Sequence, residues 1–277
     1  MNSQWHQRCI IVHALQWVDA KAIEGLYLHI SPKTQIVVCF TVDALIEALD
    51  CYKHAPVVLG VAPHESIFLL ARLASHLQQH RTLFFGRQFN YVDRQAPFYF
   101  LASGVEFYAW KDKSLKEAQI ALLDFILHKK STAIMPEYIS QPPRVLRADV
   151  LISHVNRYLY LGLPHWGVRE QPRRVLVMLA WGGSTIKIAD TLGVSVKTVS
   201  AHKLFGLACL DMGIGSDDIY RGIVAKEILQ RYAFTHIGEE VPPQEVIRGL
   251  PANELMTFVA SSPVSTMNET LTSLMTK

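Results

Sequence analysis

The 277-residue chain is poor in charge, lacks any metal-type cysteine spacing and has no long apolar run. Charged residues make up 18% of it, below the roughly 25% usual for soluble chains, while half of it is apolar. Such a composition builds cores and excludes general disorder. No segment reaches the about 18 uninterrupted apolar residues that a membrane helix needs, because Asp43, His64, Glu65 and Arg72 break the most apolar stretches. The opening MNSQWHQR lacks the charged-then-apolar order of a secretory signal. Cys9, Cys39, Cys51 and Cys209 stand far apart with no CxxC, and the pair Cys51 and His54 has no second pair to complete a site. Zinc and disulfide frameworks are therefore disfavoured, and a reducing cytoplasm is the simplest compartment. No GxGxxG and no Walker lysine motif occurs, so nucleotide binding has no support. No carboxylate cluster offers hard oxygens to Mg²⁺. No nucleophile–base set stands out, so the chain is read as having no catalytic residue, metal or cofactor, and as no enzyme.

The small net charge of +3 conceals an uneven distribution. Residues 1–130 carry 13 Lys/Arg and 11 Asp/Glu, residues 131–213 carry 9 and 5, and residues 214–277 carry 5 and 8. The chain thus has a nearly neutral first part, a basic middle and an acidic end. Within 165–205 the cations are Arg169, Arg173, Arg174, Lys187, Lys197 and Lys203, against Glu170 and Asp190. A local excess of this kind suits a phosphate backbone, although a solvated helix face gives the same count.

The first 130 residues alternate short β-branched runs with segments of helical spacing. The runs are 9–14, 34–41, 55–62, 81–86 and 105–110. The helical segments are Leu15–Leu28, Val42–Tyr52, Glu65–Leu77, a looser 90–103 and Ser114–Leu127, the last marked by Ile120, Leu123, Ile126 and Leu127. Apolar strands alternating with helices imply a parallel sheet covered on both faces, an α/β doubly wound, flavodoxin-like domain. Ligands of such domains sit at the carboxyl ends of the strands. There the chain offers His13 and His64, and the plainer reading is two loop or half-buried histidines, because no third polar partner is visible.

The stretch GVEFYAWKD (Gly104–Asp112) resembles the fifth-strand signature of response-regulator receiver domains. The resemblance places Lys111 at that family's phosphate-contacting lysine and Tyr108 at its switch aromatic. The other receiver residues are missing. His13-Ala14 replaces the acidic pair, Gly60 or Val61 replaces the phosphate-accepting aspartate, and Gly86 replaces the hydroxyl residue after strand four. Acyl phosphate chemistry needs a carboxylate acceptor and a metal. The resemblance therefore implies a pseudo-receiver that is not phosphorylated at the usual place. It also implies a dimer contact through helix four, strand five and helix five.

Residues 184–202, STIKIADTLGVSVKTVSAH, predict two short helices around a glycine turn. Ser184 caps the first helix, with Ile188 and Leu192 on one side and the small Ala189 admitting a neighbour. Gly193 permits the turn, Val194 plugs the core, and Ser195 caps a second helix whose Val199 returns onto Ile188 and Ala189. That is the layout of a helix-turn-helix, which leaves the second helix free to enter a major groove. Over residues 168–212 the chain resembles the LuxR/GerE-type branch of NarL/FixJ-like regulators, in register throughout VLVMLAWGGSTIKIADTLGVSVKTVSAHK. It departs from that pattern at Val168-Arg169-Glu170-Gln171-Pro172, which replaces L-T-x-R-E, and at Phe205 and Cys209, which replace an asparagine and a lysine.

On the second helix, residues 197, 200, 201 and 204 share a face opposite Val199. The resemblance puts Ser200, Ala201 and Leu204 nearest base edges, and Lys197, Thr198, His202 and Lys203 on phosphates or adjacent bases. Ser184, Lys187 and Ser195 flank them. No arginine is placed for a bidentate guanine contact, so modest specificity and reliance on a dimer are expected. Residues 131–167, with Pro136, Pro142, Pro143 and Pro164, read as a linker carrying a helix over 148–161, whose Tyr158, Tyr160 and Trp166 pack rather than stack on bases. A helix is expected over Asp217–Tyr232, with the stripe Ile219, Ile223 and Ile228. The expected division is a pseudo-receiver 1–130, a linker 131–167, an all-α DNA-binding domain 168–234 and an acidic, Ser/Thr-rich tail 235–277 with helical hints at 244–249 and 252–260. The reading is a cytoplasmic transcription regulator that binds double-stranded DNA as a homodimer, or as a heterodimer with a receiver-type partner. The alternative is an adaptor or antagonist with a degenerate helix-turn-helix.

Overall fold

The five β-branched runs form five parallel strands, β1 (Cys9–Ala14), β2 (Gln35–Cys39), β3 (Val57–Gly60), β4 (Thr82–Gly86) and β5 (Val105–Ala109). They lie in the order β2-β1-β3-β4-β5, the flavodoxin-like arrangement. Ile11 pairs with Val57, and Phe84 with Phe107. The computed structural model describes residues 9–30, 32, 34–101, 104–127 and 147–235. Helices α1 (Trp17–Ile30), α2 (Val42–Cys51), α3 (Ile67–Leu77), α4 (Tyr91–Phe100) and α5 (Leu115–Leu127) follow the strands in turn. Each of β2 to β5 is shorter than the run that predicts it, because residues at the ends of the run belong to the flanking loops.

Local chemistry starts these helices. The Thr41 hydroxyl accepts from the Ala44 amide at 3.2 Å. At α5 the Ser114 amide donates to Glu117 at 2.7 Å and the Glu117 amide donates to the Ser114 hydroxyl at 3.2 Å, a reciprocal capping box. Alternate residues of the strands bury opposite faces. Ile10, Val12, Val58 and Leu83 pack with Tyr27 of α1 and Leu122 and Phe125 of α5.

The described residues divide into two units, 9–127 with 225–235, and 147–224. The second unit is helical, with α6 (Ala148–Gly162), a 3-10 turn over Leu163–Trp166, α7 (Glu170–Ala180), α8 (Thr185–Leu192), α9 (Val196–Cys209) and α10 (Ser216–Gly222).

Two expected boundaries move. The helix expected inside a linker is α6, and it belongs to the helical unit, since Leu151, Val155 and Leu159 are buried and Arg173 of α7 lies over the Tyr160 ring at 4.4 Å. The helix expected over 217–232 stops at Gly222. Its stripe does not exist as a face, because Ile219 and Ile223 are buried while Ile228 is 84% exposed. From Ala225 the chain instead joins the α/β unit.

The exposure of the elements expected at a dimer contact is uneven. Most of α4 is buried, from Tyr91 and Val92 to Tyr99 and Phe100, and it carries none of the exposed large apolar side chains. Those of the neighbouring elements stand on α1 (Trp17, Val18, Leu28), directly after β5 (Trp110) and on α5 (Leu115, Ile120, Leu127). Residues 131–146 and 236–277, with the helical hints at 244–249 and 252–260, lie outside the described residues.

Candidate nucleic-acid interface

The α8–turn–α9 segment is built as its residues dictate. The Ser184 hydroxyl accepts from the Lys187 amide at 3.3 Å, and the Ser195 hydroxyl accepts from the Thr198 amide at 3.0 Å, so both helices begin on a capped amide. Gly193 ends α8 with φ +64°. Its amide donates to Asp190 at 3.3 Å, and the Val194 amide donates to Ala189 at 3.0 Å. This pair of bonds is a Schellman motif, which needs a left-handed residue and so favours glycine. Ile188, Ala189 and Val199 are buried together and Val194 is half-buried.

Behind them α9 packs on α7 at a second glycine. A Cβ on Gly206 would stand 2.7 Å from Leu176 Cδ1, so the missing side chain sets the approach of the two helices. Gly206 is absent from the sequence-based expectations. Its signal is a glycine inside an otherwise helical run, KLFGLAC.

The opposite side of α9 is open. Lys197, Ala201 and Leu204 are exposed, while Thr198, Ser200, His202 and Lys203 are half-buried. Ser184, Lys187 and Ser195 are exposed at the start of α8, on it and at the start of α9. The Ser200 hydroxyl donates to Val196 O at 3.1 Å, so its oxygen remains as an acceptor. Among the described residues, Lys187, Lys197 and Lys203 have no carboxylate within ion-pair distance. The basic excess counted from the sequence is not all surface, however. Arg173 is stacked on Tyr160, and Arg174 is 7% exposed. The cations left outside are Arg169, Lys187, Lys197 and Lys203.

At the carboxyl ends of the strands, the receiver-like residues have other partners. Tyr108 stacks on Phe85 at 5.5 Å, and Lys111 donates to Gln88 at 3.4 Å. A Cβ on Gly60 would lie 2.9 Å from Ala14 Cβ and 3.1 Å from Ile23 Cδ1. The end of β3 therefore has no room for an acceptor side chain. Among the described residues no group of three His, Cys, Asp or Glu could hold a metal ion.

His13 and His64 form no pair, because each has its own partners. His64 Nδ1 meets Asp93 at 2.7 Å. His13 Nδ1 donates to Cys39 O at 2.9 Å, which leaves Nε2 to accept from the Tyr232 hydroxyl at 3.0 Å. Burial holds His13 below the ordinary histidine value against the pull of the Cys39 carbonyl, and burial pushes Tyr232 up to about 12.

Tyr232 belongs to a segment expected in the DNA-binding domain and found in the α/β unit. Within it the Gln230 side chain accepts from Ile67 N at 2.7 Å and donates to His64 O at 2.8 Å. The Arg231 amide donates to Glu65 O at 2.9 Å, and the Arg231 guanidinium donates to the Glu65 carboxylate. Phe234 meets Phe68 edge-on at 5.2 Å. No sequence signal links residues this far apart.

Residues 169–204 match the family model "Bacterial regulatory proteins, luxR family" (GerE). Comparison with curated proteins returned no match. Among solved structures the chain is similar to a two-component response regulator RcsB–DNA complex, with 17% identity and a TM-score of 0.47, over 78% of this chain and 96% of that one. It is also similar to full-length FixJ from B. japonicum, with 14% identity and a TM-score of 0.36, over 78% and 95%. RcsB from Salmonella typhimurium gives 16% identity and a TM-score of 0.37, over 77% and 96%. The exposed α9, its capped start and the family match coincide on the same residues: positions 169–204 of the helical unit are similar to the LuxR-family, GerE-type model, and the other unit is a doubly wound α/β domain with the order β2-β1-β3-β4-β5.

Proposed function

We propose that the protein is a transcription regulator that binds double-stranded DNA through α9, in the cytoplasm, without phosphorylation of its α/β unit. The single observation that carries this reading is the open face of α9, where Lys197 and Lys203 stand without carboxylate partners beside Ser200, Ala201 and Leu204. The Ser200 oxygen can accept from a base edge, and Ala201 and Leu204 can meet a thymine methyl. Lys187, Lys197, Thr198, His202 and Lys203 serve phosphates or neighbouring bases, and Ser184 and Ser195 hold the helix starts that orient them. Independence from phosphorylation rests on the missing acceptor and the crowded Gly60 position. In the dimer, α1 and α5 supply the contact through Trp17, Val18, Ile120 and Leu127, because they carry exposed apolar side chains and α4 does not.

Each phosphate neutralised by a lysine adds about 0.9 to the steepness with which log affinity falls against log salt. The double variant Lys197→Ala, Lys203→Ala is therefore expected to flatten that slope by about 1.8 per bound protomer, about 3.6 for a dimer, and to weaken duplex binding on all sequences. Unchanged affinity and slope would refute the assignment. A second reading, an adaptor that does not engage DNA, is favoured by one observation, the exposed apolar Leu204 and Phe205 on α9. It predicts no salt-dependent duplex binding above background by the intact protein.

A further inference from the structure

A cavity of about 520 Å³ opens where β3, β4 and β5 end, beside α1 and α5. Doubly wound sheets take their ligands at this crest, and the volume lies within the range of small-molecule sites. Its walls are apolar, made by Ile23 and Leu26 of α1, Phe85 of β4, Phe89, and Leu115 of α5. The aromatic wall is held in place. Phe85 is backed by Tyr108 at 5.5 Å, and Phe89 stands edge-on to Phe107 at 5.4 Å. Phe89 also closes over Gly86, where a Cβ would lie 2.9 Å from its Cζ.

The lip of the cavity is charged. Arg87, Lys113 and Asp19 are the charged residues in its lining. Among the described residues Arg87 has no ion-pair partner, and Lys113 reaches only Glu117, at 3.6 Å with both side chains about half exposed. An exposed pair of that kind is weak and readily exchanged. Aromatic walls with an unpaired Arg87, and with Lys113 held only by a weak exposed pair, suit a small aromatic anion.

A smaller neighbouring cavity connects this one to the segment that returns after the helix-turn-helix. Asp19, Gly60, Val61 and Ala62 line the larger cavity, and the same four residues line a second cavity of about 170 Å³ to which Arg231 and Tyr232 also contribute. One loop is therefore a wall of both. We propose that the crest cavity binds a small aromatic anion, an aromatic carboxylate or sulfonate, and that the Gly60–Ala62 loop transmits its occupancy to the 225–235 segment.

The test uses the full chain with anilinonaphthalene sulfonate as fluorescent probe and naphthoate as competitor. Saturable one-site binding, displaced by naphthoate, is expected. Arg87→Glu with Lys113→Glu, both at exposed positions, should weaken it about tenfold or more. Ala22→Trp, at the exposed mouth, should abolish it, with the melting temperature of both variants unchanged. Absence of saturable binding, or binding that survives the charge reversal and the blocked mouth, overturns the site. Should Ala22→Trp not fold, the charge-reversed protein alone decides. Saturating probe should alter backbone hydrogen exchange across 225–235, and unchanged exchange there overturns the transmission. No readout involves DNA, so the result stands apart from the DNA-binding assignment.

Discussion

His13 shows how one side chain can tie pH to stability. Burial keeps its folded-state value below the ordinary 6.5, so between 6.5 and that lower value the unfolded chain binds a proton that the folded one refuses. The contribution of neutral His13 is therefore complete above 6.5 and declines as the pH falls through the depressed value. Denaturant midpoints should drop from about pH 7.5 to about pH 5, and His13→Asn should fall less over the same interval. An equal drop in both proteins would remove His13 as the cause. Tyr232 has the opposite sign. Raised to about 12, it favours the fold while protonated, and that contribution declines above the ordinary 10.

Among elements, the packing of α7 on α9 depends on an absent side chain. Gly206→Leu would drive a branched group into Leu176, where even a Cβ stands 2.7 Å from Cδ1. Overpacking of this kind costs about 1–3 kcal/mol. A lowered thermal midpoint with weakened duplex binding is expected, and a variant as stable as the parent would show that α7 yields freely.

The 225–235 segment is held by polar groups as well as by the Tyr232 and Phe234 rings. Gln230 satisfies the Ile67 amide at 2.7 Å and the His64 carbonyl at 2.8 Å with one side chain. Gln230→Ala leaves both without it, at a cost of about 1–3 kcal/mol for partly buried groups. Faster hydrogen exchange and earlier protease cleavage in 225–235 should follow, while the α8–α9 helices keep their protection. Equal exchange in variant and parent would mean that the segment is held by its aromatic contacts instead.

At the scale of the whole chain, the net charge of +3 limits the affinity expected for the proposed DNA binding. The structure lowers the useful charge further, because Arg173 and Arg174 are engaged inside the helical unit. A DNA reader of the proposed kind, with so few free cations, would gain most from being doubled. Trp17→Glu with Ile120→Glu places like charges on the exposed α1 and α5 surface. Surface changes of this kind alter monomer stability by about 0.5 kcal/mol at most. The variant is expected to sediment as a monomer and to bind duplex DNA about tenfold or more weakly. Dimers of undiminished affinity would move the dimer surface elsewhere.

The sequence by itself determined the elements whose information is local. Alternating β-branched runs specify five strands, since period two and period 3.6 are readable in short windows. Ser184, Ile188, Gly193, Ser195 and Val199 specify the helix-turn-helix, because caps, turn and core plug all fall between residues 184 and 199. Only the tertiary structure decided which cations face water, that α4 is covered, that α6 joins the helical unit, and that residues after 224 join the α/β unit. His13 and Tyr232 lie 219 residues apart. A partner at that distance is selected by the shape and polar groups that the finished fold presents, and a window of neighbouring residues holds neither.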